Sequence, residues 1–160
     1  MTTETTPEVG QPAPVFTLPT TGGESVTLED FKGKQAVVLY FYPEDDTSGC
    51  TKEACAFRDL RGQFADAGAA ILGVSPDNVD SHEKFAGKYS LNFPLLADEG
   101  ARTAKAYGAW GEKTSYGKTT IGLIRTTFVI DRQGIIRKVF PKVKVDQHAD
   151  DVLEVVRGLS

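Results

Sequence analysis

The seven residues Ala36–Tyr42, with the sequence AVVLYFY, constrain the fold of this chain more than any other segment. All seven are apolar, and most are β-branched or aromatic, so the run predicts a strand that is buried on both faces. Such a strand lies in the interior of a sheet that is covered by helices. Pro43 ends the run. A membrane-spanning helix needs roughly 20 apolar residues, and no apolar run in the sequence is longer than this one, so no membrane span is expected.

The segments around this run alternate between strand-like and helix-like patterns. Strands are predicted at Pro14–Leu18, Ser25–Leu28, Ala70–Val74, Phe93–Leu96, Thr126–Ile130 and Ile135–Phe140. Helices are predicted at residues 48–67, at 80–89 with Asp80 and Glu83 as a capping box, and at 147–157 with Asp146 as the cap. This order predicts an α/β fold whose mixed sheet is parallel in the middle and antiparallel at one edge. A thioredoxin-like arrangement fits that order, although periodicity alone does not separate it from other small α/β sandwiches.

The length of 160 residues and the ordinary share of charged residues, 25%, predict one globular domain over residues 1–160. Residues 1–10 are rich in Thr, Glu and Pro and are expected to form a loose tail. They contain neither a basic cluster nor an apolar segment, so the sequence predicts a cytoplasmic protein without a secretion signal.

The net charge of −4 disfavours a general nucleic-acid-binding protein. The second half of the chain is nevertheless the more basic half. Its basic residues are either solvated strand faces or a docking surface for an acidic partner, and they include Arg132, Arg137, Lys138, Lys142 and Lys144.

Two further patterns do not support a function. Residues 111–119 resemble a phosphate-binding loop, but five residues separate the two glycines where the motif has four, so a flexible loop is expected instead. The two cysteines and the two histidines, His82 and His148, lack zinc-site spacing, and no metal is expected. Both histidines are expected to be solvated or to cap helices.

Cys50 and Cys55 are the only cysteines in the sequence. In a reducing compartment, a disulfide between them would be catalytic or redox-sensing. Cys50 lies in the first turn of the predicted helix, with Thr47 or Ser48 as its N-cap, and a helix N-terminus favours an anion such as a thiolate. Asp45–Asp46 oppose that anion, so a reactive Cys50 needs a positive group nearby. The alternative is that Cys50 is a small core residue.

The stretch from Pro43 to Cys50, PEDDTSGC, resembles the peroxiredoxin signature Pro-x-x-x-Thr/Ser-x-x-Cys, which follows a central strand in that family. The next residues, TKEAC, resemble the bacterioferritin-comigratory or peroxiredoxin Q subgroup, which has a second cysteine five residues further along the same helix. Residues 10–16, 73–77, 93–98 and 125–131 also match, so the resemblance covers nearly the whole chain. Ser48 stands where many relatives have proline, and both residues suit a helix start.

This resemblance implies a role for each matching residue. Cys50 corresponds to the cysteine that attacks the peroxide, and Thr47 to a hydroxyl that hydrogen-bonds the thiolate and the peroxide. Pro43 corresponds to the residue that shields the site from water. Arg125 corresponds to the guanidinium that stabilises the thiolate and aligns the peroxide, and Glu53 to the acid that orients this arginine.

Cys55 corresponds to the resolving cysteine. The implied function is a thiol-dependent peroxidase that reduces hydrogen peroxide and organic hydroperoxides through a sulfenic acid at Cys50. Cys55 converts this to an intramolecular disulfide, and thioredoxin or a similar dithiol recycles the enzyme. No metal, haem or flavin is implied, and a monomer is expected. The alternative is a thioredoxin-fold module whose disulfide switches a partner interaction without turnover, but such a switch would not need the full set of donors around Cys50.

Overall fold

The computed structural model describes residues 7–115 and 117–159, and a mixed β-sheet forms its centre. The strands are β1 (Thr17–Thr20), β2 (Glu24–Thr27), β3 (Ala36–Phe41), β4 (Ala69–Ser75), β5 (Leu95–Ala97), β6 (Trp110–Ser115), β7 (Lys118–Leu123), β8 (Thr126–Ile130) and β9 (Ile136–Phe140). The helices are α1 (Ser48–Asp66), α2 (Val79–Tyr89), α3 (Arg102–Ala106) and α4 (His148–Arg157), with a short 3-10 helix at Leu28–Phe31. Within the described ranges, none of these helices is long and apolar enough to cross a membrane.

Seven strands form one sheet in the order β2-β1-β5-β4-β3-β8-β9, and β6 pairs only with β7. The centre is parallel, with β3 beside β4 and β4 beside β5. Antiparallel pairs lie on both sides of this centre, because β8 joins β3 and β1 joins β5 in the opposite direction. The predicted α/β class with a mixed sheet is therefore confirmed, but the prediction of antiparallel pairing at one edge only was wrong.

The apolar run that predicted a buried strand is the central strand β3, and all six of its residues are buried. Successive side chains point to opposite faces. Tyr40 faces the helices and stacks on Phe57 of α1 at 4.7 Å between ring centroids. Phe41 faces the other way and meets Phe128 edge to face. Gly73 in β4 makes room for this packing, because a Cβ there would lie 2.9 Å from the Tyr40 ring.

Some helix and strand starts differ from the predictions for local reasons. β1 begins three residues after the predicted start at Pro14, where pairing with β2 begins. Helix α2 is capped by Asn78, whose Oδ1 accepts a hydrogen bond from the Ser81 amide at 2.9 Å. The predicted capping box at Asp80 was therefore wrong. Asp146 does not cap α4 but forms an exposed ion pair with Lys52 of α1.

The segment predicted as a flexible loop forms the hairpin of β6 and β7. Most residues of these strands are polar, and β7 is mostly exposed, so the sequence carried no alternation of apolar and polar positions to reveal the hairpin. Helix α3 was also missed, because five residues are too few to show a helical period.

The N-terminal segment is bound to the sheet from Gly10 onward. The Gly10 amide donates to the Ile136 carbonyl at 2.8 Å, and the Ile136 amide donates to Gln11 at 2.9 Å. The Ala13 amide donates to Gly134 at 2.9 Å. Residues 1–6 of the predicted loose tail lie outside the described residues, and the prediction was wrong at its last residue, Gly10.

Candidate active site

Cys50 is the third residue of α1, which begins directly after the loop that follows β3. Thr47 is the N-cap residue and has an extended backbone. The first amides of a helix lack partners within the helix and favour an anion beside them. Only 1% of the Cys50 surface is exposed. The predicted position of Cys50 at the start of a helix is therefore confirmed, and its side chain lies in a largely water-free environment.

Arg125 supplies the positive group that a reactive Cys50 needs. Its Nη2 donates to the Cys50 Sγ at 3.2 Å, and its Nη1 donates to Glu53 Oε1 at 2.5 Å. Arg125 follows β7, and its carbonyl accepts a hydrogen bond from the Val143 amide at 2.9 Å, which fixes the backbone. Burial lowers the pKa of Arg125, but the interactions with Glu53 and Cys50 more than offset this effect. The pKa of Arg125 is therefore raised above its ordinary value. The guanidinium is therefore a cation held between the Cys50 sulfur and the Glu53 carboxyl group.

Glu53 lies one turn after Cys50 on α1 and is 1% exposed. Burial raises the pKa of Glu53 to about 7, although the Arg125 charge opposes this. Glu53 Oε2 accepts no hydrogen bond from the residues that the structure describes, and it lies 3.9 Å from His148 Nε2. His148 Nε2 lies 2.8 Å from the Thr127 hydroxyl, and burial lowers the pKa of His148 to about 4. Glu53 thus holds Arg125 with one oxygen and leaves the other unpaired.

Replacing Glu53 with glutamine is expected to remove a pH-dependent loss of stability. Burial raises the pKa of Glu53 from 4.5 to about 7, so between these values the folded protein keeps a proton that the unfolded chain releases. The stability from the protonated carboxyl is complete below pH 4.5 and is lost as the pH rises through 7, by about 3 kcal/mol. The free energy of unfolding of Glu53→Gln, relative to the unsubstituted protein, should therefore rise between pH 4.5 and 8 in urea titrations.

His148 titrates in both proteins, so its contribution largely cancels in that difference. A difference that stays constant from pH 4.5 to 8 would show that Glu53 is ionised throughout this range and would contradict the prediction.

Thr47 is the N-cap residue of the helix that carries Cys50. The Thr47 hydroxyl donates to the Glu44 carbonyl at 2.9 Å, so its proton does not point at the Cys50 sulfur. Its lone pairs still can accept a hydrogen bond. Pro43 is partly exposed and lines a cleft of about 470 Å³ together with Arg125 and residues 112–114 of the β6–β7 hairpin.

Gly49 is a site residue that the sequence reasoning missed. A Cβ at this position would lie 3.2 Å from Arg125 Nη2. The absent side chain therefore lets the guanidinium approach the first turn of α1. The only signal in the sequence was a glycine directly before a cysteine at a helix start.

The aspartates that precede Cys50 are bonded to α2. Asp46 accepts hydrogen bonds from Lys88 Nζ at 2.9 Å and from the Tyr89 hydroxyl at 2.8 Å. Asp45 is buried and contacts His82 at 2.8 Å. Both carboxylates thus have partners of their own, which reduces their effect on Cys50.

The prediction that His82 and His148 are solvated or cap helices was wrong. His82 is completely buried and His148 is 5% exposed. Their polar partners come from distant parts of the chain, Asp45 and the Leu96 carbonyl for His82 and Thr127 for His148. Local sequence patterns do not reveal such partners.

Cys55 lies five residues after Cys50 in the same unbroken helix. Its side chain is partly exposed, and both thiols are free in the structure. An ideal helix separates the Cα atoms of such residues by roughly 8.7 Å. A disulfide usually needs about 6.8 Å or less. The structure therefore represents a reduced form in which the two sulfurs are not yet in reach of each other.

Known proteins share both the sequence and the fold of this chain. The profile of the AhpC/TSA family matches residues 9–139. Peroxiredoxin Bcp of Bacillus subtilis is 46% identical over 153 residues, which cover 96% of this chain and 97% of that protein. The solved peroxiredoxin Q of Xanthomonas campestris has a TM-score of 0.85 and 40% identity over 90% of each chain.

A second solved structure from Xanthomonas campestris, the bacterioferritin comigratory protein, was described for its alkyl peroxide reduction activity. It has a TM-score of 0.84 and 39% identity over 89% of this chain and 90% of that one. These neighbours confirm the predicted thioredoxin-like fold. The chain therefore belongs to the AhpC/TSA family and, within it, to the peroxiredoxins of the Bcp or peroxiredoxin Q type, which are thiol-dependent peroxidases.

Proposed function

We propose that this peroxiredoxin reduces hydrogen peroxide and organic hydroperoxides at Cys50, with Cys55 as the resolving cysteine and thioredoxin or a similar dithiol as the reductant. The contact that carries the proposal is the hydrogen bond of 3.2 Å from Arg125 Nη2 to the buried Cys50 sulfur. The cleft beside Arg125 gives room for an organic substituent, in line with the alkyl peroxide activity of the Xanthomonas campestris protein. In this proposal the protein acts as a single domain, as a monomer and in the cytoplasm.

In the first step, the Cys50 thiolate attacks one oxygen of the peroxide and an S–O bond forms while the O–O bond breaks. The second oxygen leaves with the electron pair and takes up a proton, so that the products are a sulfenic acid and water or an alcohol. Negative charge is shared along the sulfur and both oxygens in the transition state. Fixed donors at these atoms accelerate such a step. Arg125 and the first amides of α1 supply those donors, and the Thr47 hydroxyl oxygen accepts a hydrogen bond from the O–H group of the bound peroxide.

In the second step, the Cys55 thiol attacks the sulfenic sulfur, and water leaves as the disulfide forms. A dithiol then reduces this disulfide by exchange and becomes a disulfide itself. Cys55 is the only other cysteine in the chain, so no other intramolecular thiol is available.

Steady consumption of peroxide tests this proposal directly. The purified protein, with thioredoxin, thioredoxin reductase and NADPH, is expected to remove many equivalents of peroxide per Cys50. A protein that forms the disulfide once and is not recycled by any dithiol would instead be the redox switch that the sequence left as the alternative.

Formation of the disulfide is expected to unwind the first turns of α1. Because Cys50 and Cys55 are too far apart on an intact helix, residues from 48 to about 55 must leave the helical conformation before the sulfurs can join. Amides around residues 48–58 should therefore exchange hydrogen at least about tenfold faster in the oxidised protein than in the reduced one. Hydrogen exchange followed by mass spectrometry measures this difference.

The Cys55→Ser variant is the matched control, because peroxide oxidises its Cys50 but no disulfide can form. Its exchange in this region should stay close to that of the reduced protein. Equal protection in the reduced and disulfide forms of the unsubstituted protein would contradict the prediction.

A further inference from the structure

Behind the loop that joins β3 to α1 lies a buried group of polar side chains that the peroxidase chemistry does not use. Asp45 is its centre. Asp45 Oδ1 accepts from the Tyr42 hydroxyl at 2.6 Å, and Oδ2 accepts from the Ser81 hydroxyl at 2.7 Å and contacts His82 Nδ1 at 2.8 Å. The Asp45 amide donates to Asp77 Oδ2 at 2.7 Å. We call Asp45, Tyr42, Ser81 and His82 the loop anchor.

The hydrogen bonds of His82 show that the loop anchor is a specific hydrogen-bond network in the protein interior. His82 is completely buried, and its Nε2 lies 2.9 Å from the Leu96 carbonyl. A carbonyl only accepts, so Nε2 must carry a proton. Nδ1 lies 2.8 Å from Asp45 Oδ2 and 3.3 Å from the Tyr42 hydroxyl, so both ring nitrogens have polar partners in the interior. Buried contacts of this kind are costly to break from one side, because the remaining polar group loses its partner.

The loop anchor fixes the residues that shape the peroxide site. Asp45 lies two residues after Pro43 and two residues before Thr47, the N-cap of α1. Asp46 has a left-handed backbone with φ of 60°, which is unfavourable for a residue other than glycine and needs support from its surroundings. Helix α2 provides that support through both aspartates. The position of the first turn of α1 thus depends on contacts from a helix more than 30 residues away in the sequence.

We propose that Asp45 and His82 are positioning residues for peroxide reduction, which hold the start of α1 in the folded form that reacts with peroxide and thereby oppose the unwound form that makes the disulfide. The proposal rests on the function proposed above. It has a distinctive consequence, because one change should affect the two chemical steps in opposite directions. Weakening the anchor lowers the population that reacts with peroxide and raises the population in which Cys50 reaches Cys55.

The test is the Asp45→Asn variant. An amide nitrogen in place of Oδ2 cannot accept the hydrogen bond from the Ser81 hydroxyl and replaces the carboxylate oxygen that contacts His82. Rapid quenching, alkylation and mass spectrometry then follow thiol loss at Cys50 and disulfide formation separately. The rate constant for oxidation by hydrogen peroxide is expected to fall about tenfold, as when about one molecule in ten keeps a competent site. Formation of the disulfide from the sulfenic acid is expected to become at least about twofold faster.

Ser81→Ala is a second test, which remains available if Asp45→Asn fails to fold. It removes a single hydrogen bond to Asp45 and is expected to slow oxidation and speed disulfide formation to a smaller extent. Glu83→Gln is the control on the same helix, because its exposed carboxylate contacts only the Gly22 amide among the described residues and should leave both rates unchanged. If Asp45→Asn and Ser81→Ala both leave the two rates unchanged, or slow both steps to the same degree, the positioning role is wrong.

Hydrogen exchange of the reduced proteins separates this result from a failure of the proposed function. Faster exchange of the amides at residues 47–52 in Asp45→Asn than in Glu83→Gln supports the anchor whether or not Cys50 reacts with peroxide. Equal exchange in the two variants overturns the anchor, while absence of Cys50 oxidation in the unsubstituted protein overturns only the proposed function.

Discussion

Replacing Cys50 with serine is expected to reduce peroxide consumption to the uncatalysed background, a loss of at least about a thousandfold. The hydroxyl of serine is a far weaker nucleophile than a thiolate, and the contacts of Arg125 would have no anion to stabilise. The coupled assay with thioredoxin, thioredoxin reductase and NADPH measures this loss. Thermal unfolding checks that the variant is folded. We expect it to fold, because serine and cysteine have similar size and serine fits the same buried position.

Cys55→Ser is the matched control for this prediction, because it changes the other cysteine of the same helix in the same way. With thioredoxin as the sole reductant, it should consume about one equivalent of peroxide and then stop at the sulfenic acid. Substantial turnover by Cys50→Ser, or an unreactive Cys50 in Cys55→Ser, would contradict the proposed roles of the two cysteines.

Replacing Arg125 with lysine is expected to slow the reaction of Cys50 with peroxide by roughly ten- to a hundredfold, about 1.4–2.7 kcal/mol. Lysine keeps the positive charge but loses the planar group that donates to Glu53 and to the Cys50 sulfur at once. An ordinary cysteine is only a few per cent thiolate at pH 7, and a helix N-terminus contributes at most about 2 kcal/mol toward the anion. The second-order rate constant from stopped-flow measurements gives the size of the effect.

Arg132→Lys provides the control, because Arg132 is exposed in the turn between β8 and β9, at the end of β8 opposite to Arg125. Its rate constant should equal that of the unsubstituted protein. A rate constant for Arg125→Lys within twofold of the unsubstituted protein would mean that the guanidinium contacts do not contribute to the reaction.

Local patterns predicted the parts of this fold that local physics determines. The apolar run of β3 and the helical period of α1 are properties of adjacent residues, so both elements were found with their first residues correct. The β6–β7 hairpin depends on pairing between two polar strands, and its contribution to the cleft beside Arg125 is visible only in three dimensions. The direction of β1 beside β5 is likewise decided by contacts between distant segments.

The candidate site likewise has features that local sequence determines and features that depend on distant residues. The helix-start position of Cys50 follows from the residues around it, and the sequence alone could state that a positive group was needed. Arg125 is 75 residues away from Cys50, and it was identified only through the resemblance to a family. His82 and His148 were missed because their burial depends on partners that the folded sheet brings together.

The binding of residues 10–13 to the start of β9 has a consequence for the behaviour of the protein at high concentration. β9 is the last strand of the sheet, and an edge strand offers unpaired amides and carbonyls to any other chain. The isolated bridge between Pro12 and Ile135, with the neighbouring hydrogen bonds, occupies the beginning of that edge, and the exposed Arg137 and Lys138 place positive charge along its continuation. Segments remote from the chemistry thus discourage two copies from joining edge to edge into a continuous sheet, the first step toward aggregation.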